Sequence, residues 1–368
     1  MLNIAIIGTR GIPNFYGGFE QFAEYLAKGL VEKNYKVTVY NSSSHPYKES
    51  SWNGVTIVHC NDPEDKWGTV GQFIYDLNCI RHARKQSFDI ILQLGYTSSS
   101  VWGPILPRKA IITTNMDGLE WKRSKYSKAV QLFLKKAEYL AVKFSDFLIS
   151  DSIGIQDYLV KKYKKTSTYI PYGANLFYDA DETILKKYSL NRYQYNMLIA
   201  RFEPENNLET ILDGVAQAGN NQPFLVIGNY ETKFGEYLVN KFRDIKNIKF
   251  LGPIYDIGVL NNLRYYSNIY FHGHSVGGTN PSLLEAMASN ALICAHDNPF
   301  NKAILQQDAF YFTTKSEVQS YIEKTEKKNF SNHLNNNIDK IKSLYSWEKI
   351  IEDYENHFIE ISKHGKNK

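Results

Sequence analysis

A chain of 368 residues is long enough for about two domains with cores of their own, and 43% hydrophobic with 22% charged residues is an ordinary globular balance. A net charge of +5 is too mild to point to nucleic acid, and no apolar run approaches the roughly 18 residues of a membrane span. Cys60, Cys79 and Cys294 are odd in number and lack metal-ligand spacing, which fits buried thiols in a reducing compartment. No basic leader precedes the first apolar run, so a cytoplasmic location is expected.

In chain order, strands are predicted at Asn3–Ile7, Lys36–Tyr40, Val55–His59, Asp89–Leu94, Ala110–Thr114, Phe147–Ser150 and Thr168–Ile170. Helical patterns over Phe19–Lys33, Gly71–Lys85, Lys128–Lys143 and Ser152–Lys162 separate them. Apolar strands alternating with amphipathic helices predict a parallel, doubly wound α/β sheet. The turn-rich Pro171-Tyr172-Gly173-Ala174-Asn175 marks a boundary and ends a first domain at 1–175. The pattern then restarts over 176–345. Its strands are Asn196–Ala200, Pro223–Ile227, Ile248–Leu251, Ile269–His272 and Leu292–Ala295, with helices at Asn207–Ala218, Glu231–Phe242, Asp256–Tyr265 and beyond Glu317. Two such halves imply a cleft between them. Ser346-Trp347-Glu348 starts a further helix within 346–368, which ends in a Lys-rich tail expected to fray.

The first strand runs into Gly8-Thr9-Arg10-Gly11-Ile12-Pro13-Asn14-Phe15-Tyr16-Gly17-Gly18-Phe19-Glu20. A nicotinamide site wants a tight G-x-G-x-x-G there and an acid closing the second strand, whereas that strand ends Tyr40-Asn41-Ser42. The Lys-Ser/Thr of a P-loop is missing too. Gly17 and Gly18, at a helix start, let a phosphate or sugar approach closely, or they simply form a loop. Tyr75-Asp76 and Gly95-Tyr96-Thr97-Ser98-Ser99-Ser100 are further acceptor candidates near strand ends.

After the fifth strand comes Asn115-Met116-Asp117-Gly118-Leu119-Glu120-Trp121. Asp117 either stabilises a turn before Gly118 or orients an acceptor; the two readings stand level. From Trp121 to Phe144 seven basic residues (Lys122, Arg123, Lys125, Lys128, Lys135, Lys136, Lys143) face one acid, Glu138. Apolar residues interleave them at helical spacing. Such a helix lies on an anionic membrane face, or packs its apolar side on its own domain with the lysines in solvent. Trp121 reads as a core or interface aromatic.

In the second half, Arg201 follows a strand end, ahead of a helix, where its fork of donors suits a diphosphate. A surface salt bridge to Glu203 or Glu205 is the rival reading. His272 and His274 alternate on one strand end without further ligands, so no metal is expected; His274 either lies near the donor or is a hydrogen-bonded structural histidine, the second reading being favoured. Gly277-Gly278-Thr279-Asn280-Pro281-Ser282-Leu283-Leu284-Glu285 joins a glycine turn to a helix with Pro at its start, an arrangement suited to phosphate or polyhydroxy ligands.

Together these segments resemble glycosyltransferase family 4, of the GT-B fold, across essentially the whole chain. The resemblance implies two Rossmann-like domains facing a cleft, with a C-terminal helix crossing back to the first. The family's second domain carries an acid eight residues before a second acid in L-E-A-M-A; here Leu284-Glu285-Ala286-Met287-Ala288 supplies the second, and Gly277 stands in place of the first. Glu285 then matches the ribose-binding acid, Arg201 the diphosphate arginine, and Asn206 the position of a companion lysine. Ile254, in Gly252-Pro253-Ile254-Tyr255, matches the segment whose backbone reads the base. Gly17, Gly18, Arg201, Asn206, Ile254, Gly277, Gly278, Thr279, Asn280 and Glu285 are the implied donor contacts, with Arg201 and Asp117 nearest the chemistry. Gly8–Pro13, Tyr16–Glu20, Asn115–Trp121 and Gly277–Pro281 resemble the narrower rhamnosyltransferase-like branch of capsule synthesis. That branch implies a retaining enzyme taking dTDP-L-rhamnose, or a UDP-sugar, to an undecaprenyl-diphosphate-linked or oligosaccharide acceptor, with no cofactor and no nucleic-acid partner. Residues 121–144 are a candidate peripheral membrane contact. A non-catalytic sugar-nucleotide-binding protein and a sugar-nucleotide epimerase remain the alternatives.

Overall fold

Strands covered on both faces need no polar side, and the apolar runs become the middle strands of two parallel sheets. The first sheet is built from β1 (Asn3–Ile7), β2 (Lys36–Ser42), β3 (Ser51–Trp52), β4 (Val55–Cys60), β5 (Ile90–Leu94), β6 (Ile111–Asn115), β7 (Phe147–Ser150) and β8 (Thr168–Tyr169). Its order is β3-β4-β2-β1-β5-β6-β7-β8, parallel except for the β3–β4 pair. The second holds β9 (Asn196–Ile199), β10 (Phe224–Ile227), β11 (Ile248–Gly252), β12 (Tyr270–His272), β13 (Ile293–His296) and β14 (Phe310–Phe312), ordered β11-β10-β9-β12-β13-β14 and parallel throughout. This computed structural model describes residues 1–15, 17–123, 126–219 and 221–365; Tyr16, Lys125 and the tail after Gly365 lie outside the described residues.

Strand order reverses between β1 and β5 in one sheet and between β9 and β12 in the other. An open parallel sheet has its crevice outside the carboxyl ends of such a pair. In the second sheet the register sets Tyr270 beside Met197 and Phe271 beside Leu198, which brings the Arg201 turn next to the His272 end.

The chain divides into two compact units, one from Met1–Lys122, Tyr126–Tyr172 and Trp347–Lys368, the other from Arg123–Lys125 and Gly173–Ser346. The helix Trp347–His364 lies on the helix Gly18–Glu32 of the first unit. Tyr25 stacks on Trp347 at 4.4 Å, and Phe22 meets Tyr354 at 5.2 Å. Gly29 allows the close approach, since a Cβ there would sit 2.4 Å from Ile351. His357 binds Thr113 Oγ1 at 2.9 Å and Thr168 Oγ1 at 3.1 Å, tying the helix to β6 and β8.

Candidate functional site

Beyond β9 the chain turns through Ala200 and Arg201 before the helix Leu208–Gln217. Two glycines hold that turn against its neighbours. A Cβ on Gly228, past β10, would meet Ala200 O at 2.0 Å, and one on Gly273, past β12, would meet Asn206 O at 2.0 Å. Asn207 Nδ2 donates to Gly273 O at 2.8 Å, and Ser275 Oγ donates to Glu205 O at 2.7 Å. The two loops are thereby sewn together at the switch point. Arg201 is exposed and makes no ion pair among the described residues, so the bridge to Glu203 or Glu205 is not formed. Asn206 corrects its expected role. Its buried side chain donates to Arg201 O at 2.7 Å and fastens the loop from behind.

The glycine turn follows His274. Gly277 has φ +132°, and a Cβ there would find nothing within 4 Å. The amides of Gly277 and Gly278 meet no acceptor among the described residues. The helix Pro281–Ala288 is closed at its start, because Asn280 Oδ1 accepts from Ser282 N at 2.9 Å and Pro281 has no N–H. The donors left for a ligand are therefore the turn amides, rather than the helix end the sequence suggested. Thr279, next in the chain, is buried. Ile254 is half-buried in the loop past β11, one strand beyond β10, beside Tyr255, which is 88% exposed.

Glu285 stands one turn inside the helix and has a partner that no motif announced. Arg264, buried on the helix Ile257–Tyr266, reaches Glu285 Oε2 at 2.7 Å, Ser282 Oγ at 3.1 Å and Asn261 Oδ1 at 3.0 Å. Its guanidinium also lies over the Tyr270 ring at 5.9 Å. One carboxylate oxygen is thus fixed by a buried cation, and the half-exposed group keeps its other oxygen for a ligand. The helix face that carries Arg264 was the only sequence signal, a charged residue among apolar ones.

His272 and His274 stack with ring centres 4.4 Å apart and planes at 17°. Among the described residues neither nitrogen of His272, nor His274 Nδ1, has a hydrogen-bond partner, which favours the donor-side reading of His274 over the structural one. Burial, reinforced by the Arg201 charge, pulls His274 down to about 3, so it is neutral at physiological pH. Among the described residues no three of His, Cys, Asp and Glu gather as metal ligands.

In the first unit the corresponding crevice binds itself. Glu20 Oε1 accepts from Arg10 N at 2.8 Å and Thr9 Oγ1 at 3.2 Å, while Arg10 forks onto Glu64 at 2.6–3.0 Å. Asn41, where a nicotinamide fold would place its acid, grips Ile12 N at 3.1 Å and Ile12 O at 2.8 Å. Gly17 caps the helix Gly18–Glu32 with no side-chain hydrogen bond, so the first-turn amides of that helix keep no side-chain acceptor at the cap. Asp117 lies half-buried past β6. Burial and the charges of Glu138, Glu120 and Asp117 push the Tyr96 hydroxyl up, and it donates to Gly118 O at 3.1 Å, bracing that loop. Tyr75 is a buried brace on Thr9 O and Tyr40 O at 2.9 Å each. Asp76 accepts from Ser98 at 2.6 Å, yet burial lifts it to about 7.

The helix Lys128–Phe144 buries Leu134, Ala137, Glu138, Ala141 and Val142. Glu138 collects Trp121 Nε1, Tyr158 OH, Tyr163 OH and Lys162 Nζ within 2.6–3.0 Å. Trp121 lies among lysine ammoniums, Lys135 at 4.5 Å, and so anchors an interface inside the unit. Leu132 (70%), Tyr139 (50%), Val130 and Phe133 point outward beside Lys128, Lys135 and Lys136. With Lys162 and Tyr163 several of them line a groove of about 740 Å³. No helix among the described residues is long and apolar enough to cross a membrane.

A family profile described as a domain of unknown function (DUF1972) matches residues 1–175. No curated protein sequence matches the chain. Among solved structures it is similar to sucrose-phosphate synthase from Thermosynechococcus elongatus, at 15% identity and TM-score 0.79, covering 99% of this chain and 100% of that one. It is likewise similar to Anabaena HepE in complex with UDP and glucose, at 14% identity and TM-score 0.73, covering 98% and 100%. A glycosyltransferase from Rickettsia africae aligns at 12% identity and TM-score 0.71, covering 99% and 100%. Two Rossmann-like parallel sheets, the returning terminal helix and these full-length superpositions together give the chain the GT-B fold.

Proposed function

We propose that this protein is a retaining glycosyltransferase that transfers a sugar from a nucleoside diphosphate donor. What supports the reading is the β9/β12 switch point: the loops past these two strands carry Arg201, without an ion pair among the described residues, and two glycine amides without an acceptor among them, and the helix that follows carries Glu285, held by Arg264. HepE, similar over its whole length, is a protein solved with UDP and glucose. In this reading Arg201 and the turn amides meet the diphosphate. Negative charge grows there as the sugar departs, so their hold strengthens in the transition state. Glu285, with Oε2 on Arg264, offers its other oxygen to a ribose hydroxyl, and Ile254 borders the base. Gly17 and Gly18 present helix amides to the phosphate side, and Asp117 orients the acceptor. Front-face attack assisted by the leaving phosphate needs no protein base.

The favoured donor is dTDP-L-rhamnose, with a UDP-sugar second, and the favoured acceptor a sugar on undecaprenyl diphosphate or an oligosaccharide of a surface polysaccharide. The outward apolar side chains and lysines of Lys128–Phe144 support peripheral contact with an anionic membrane face, where a lipid-linked acceptor is met. A donor screen on purified protein, with dTDP-L-rhamnose beside UDP-sugars and a lipid-diphosphate sugar as acceptor, tests the reading. Arg201→Ala is expected to cut kcat about a hundredfold or more. Wild-type turnover in that variant would remove Arg201 from the mechanism; donor binding without transfer in the wild type would favour a binding protein.

A further inference from the structure

We propose that His274, stacked on His272 at the end of β12, holds a hydroxyl of the donor sugar in place of the carboxylate that Gly277 does not carry. The inference rests on the nucleotide-sugar reading of this site. Its first support is an imbalance of hydrogen bonds. His272 is 1% exposed with both ring nitrogens unpaired, and His274 Nδ1 is buried and unpaired as well. Buried polar atoms in a folded protein almost always have partners, and exceptions gather where a ligand completes them. Three such atoms on two touching rings are a concentrated exception.

The surroundings hold the rings still. His274 O accepts from Asn298 Nδ2 at 3.0 Å and Asn301 Nδ2 at 3.1 Å, and Asn298 is itself fixed as the cap of the helix Pro299–Leu305. Ser275, the next residue, is tied to Glu205 O. The stack with His272 fixes the ring plane. Three residues further on, Gly277 leaves open space where a side chain would begin.

The chemistry selects the ligand group. Burial and the nearby Arg201 keep His274 uncharged, and a neutral imidazole has one N–H and one lone pair. A sugar hydroxyl also donates once and accepts, so the two match in both directions. A phosphoryl oxygen only accepts, and the arginine and turn amides already suit it. His272, sealed behind its neighbour, is a positioning residue that sets the ring of His274.

Titration of a nucleoside diphosphate and of the matching nucleotide-sugar against the same variants tests this directly. His274→Phe keeps the stack on His272 and removes both polar atoms. It is expected to weaken nucleotide-sugar binding about tenfold while leaving nucleoside diphosphate binding unchanged. His274→Asn, which retains a donor and an acceptor, is expected to recover most of the loss and guards against a folding defect. Equal losses for both ligands, or no loss for either, would overturn the inference while leaving the transferase reading intact. A wild-type protein that binds neither ligand would overturn that reading, and this one with it.

Discussion

Arg264 is 1% exposed, and among the described residues Glu285 supplies the one carboxylate its guanidinium pairs with. Removing one partner of a buried pair leaves the other desolvated and uncompensated. Glu285→Ala is therefore expected to destabilise the second unit by about 3–5 kcal/mol in denaturant unfolding, on top of any effect on donor binding. Glu285→Gln keeps an oxygen for Arg264 and should lose far less. If Glu285→Ala unfolds at the wild-type midpoint, the pair is not holding the helix in place. The practical result is that loss of binding in the alanine variant alone says nothing about ribose. In the sequence Glu285 is singled out by L-E-A-M-A. Arg264 is not, since it lies on another helix and meets Glu285 only through the fold. Asn206 was misjudged for a related reason: a motif position gives no direction for its side chain, and this one turns inward to Arg201 O.

Among the elements, the helix Lys128–Phe144 is the one whose surface exceeds what its own unit needs. Its single acid is buried under four donors, so the outward face carries lysines and apolar or aromatic side chains without a carboxylate. Apolar area plus positive charge binds anionic bilayers in proportion to both. Sedimentation with phosphatidylglycerol vesicles is expected to pull down the protein, with little recovery on phosphatidylcholine. Lys135→Glu/Lys136→Glu and Leu132→Glu should each reduce it several-fold without changing transfer to a soluble acceptor; equal recovery on both lipids would contradict charge-led docking. The helix was plain from its periodicity, but which apolar residues face out was not. Leu132 and Leu134 look alike in sequence, and only packing separates 70% from 5% exposure. Two of the four edge strands, β3 and β14, are among the elements the periodicity does not reveal. β3 has two residues and β14 three, with no apolar run of their own bounded by turns, and each pairs with a longer neighbour that offers it a ladder.

At the scale of the molecule, the strand–helix pattern restarts after Pro171–Asn175, and the structure divides between Tyr172 and Gly173, with Trp347–Lys368 in the first unit. The returning helix was legible only through family resemblance, because nothing in Trp347–His364 says which sheet it covers. Its contacts make the first unit discontinuous in sequence. A fragment of residues 1–175 lacks Tyr354, Phe358 and Ile361 against Phe22 and its neighbours, and leaves Thr113 and Asn115 without their partners. It is expected to unfold without a sharp thermal transition and to bind a hydrophobic dye, and supplying residues 346–368 as a separate segment should restore cooperativity; a sharp transition in the fragment alone would show the helix to be dispensable. Synthesis runs from one end, so the ribosome delivers Trp347–His364 only after the whole second unit has emerged. The first unit waits, its interior open, until the last turns of the chain arrive. A premature stop within the second unit therefore leaves the first unit incomplete as well.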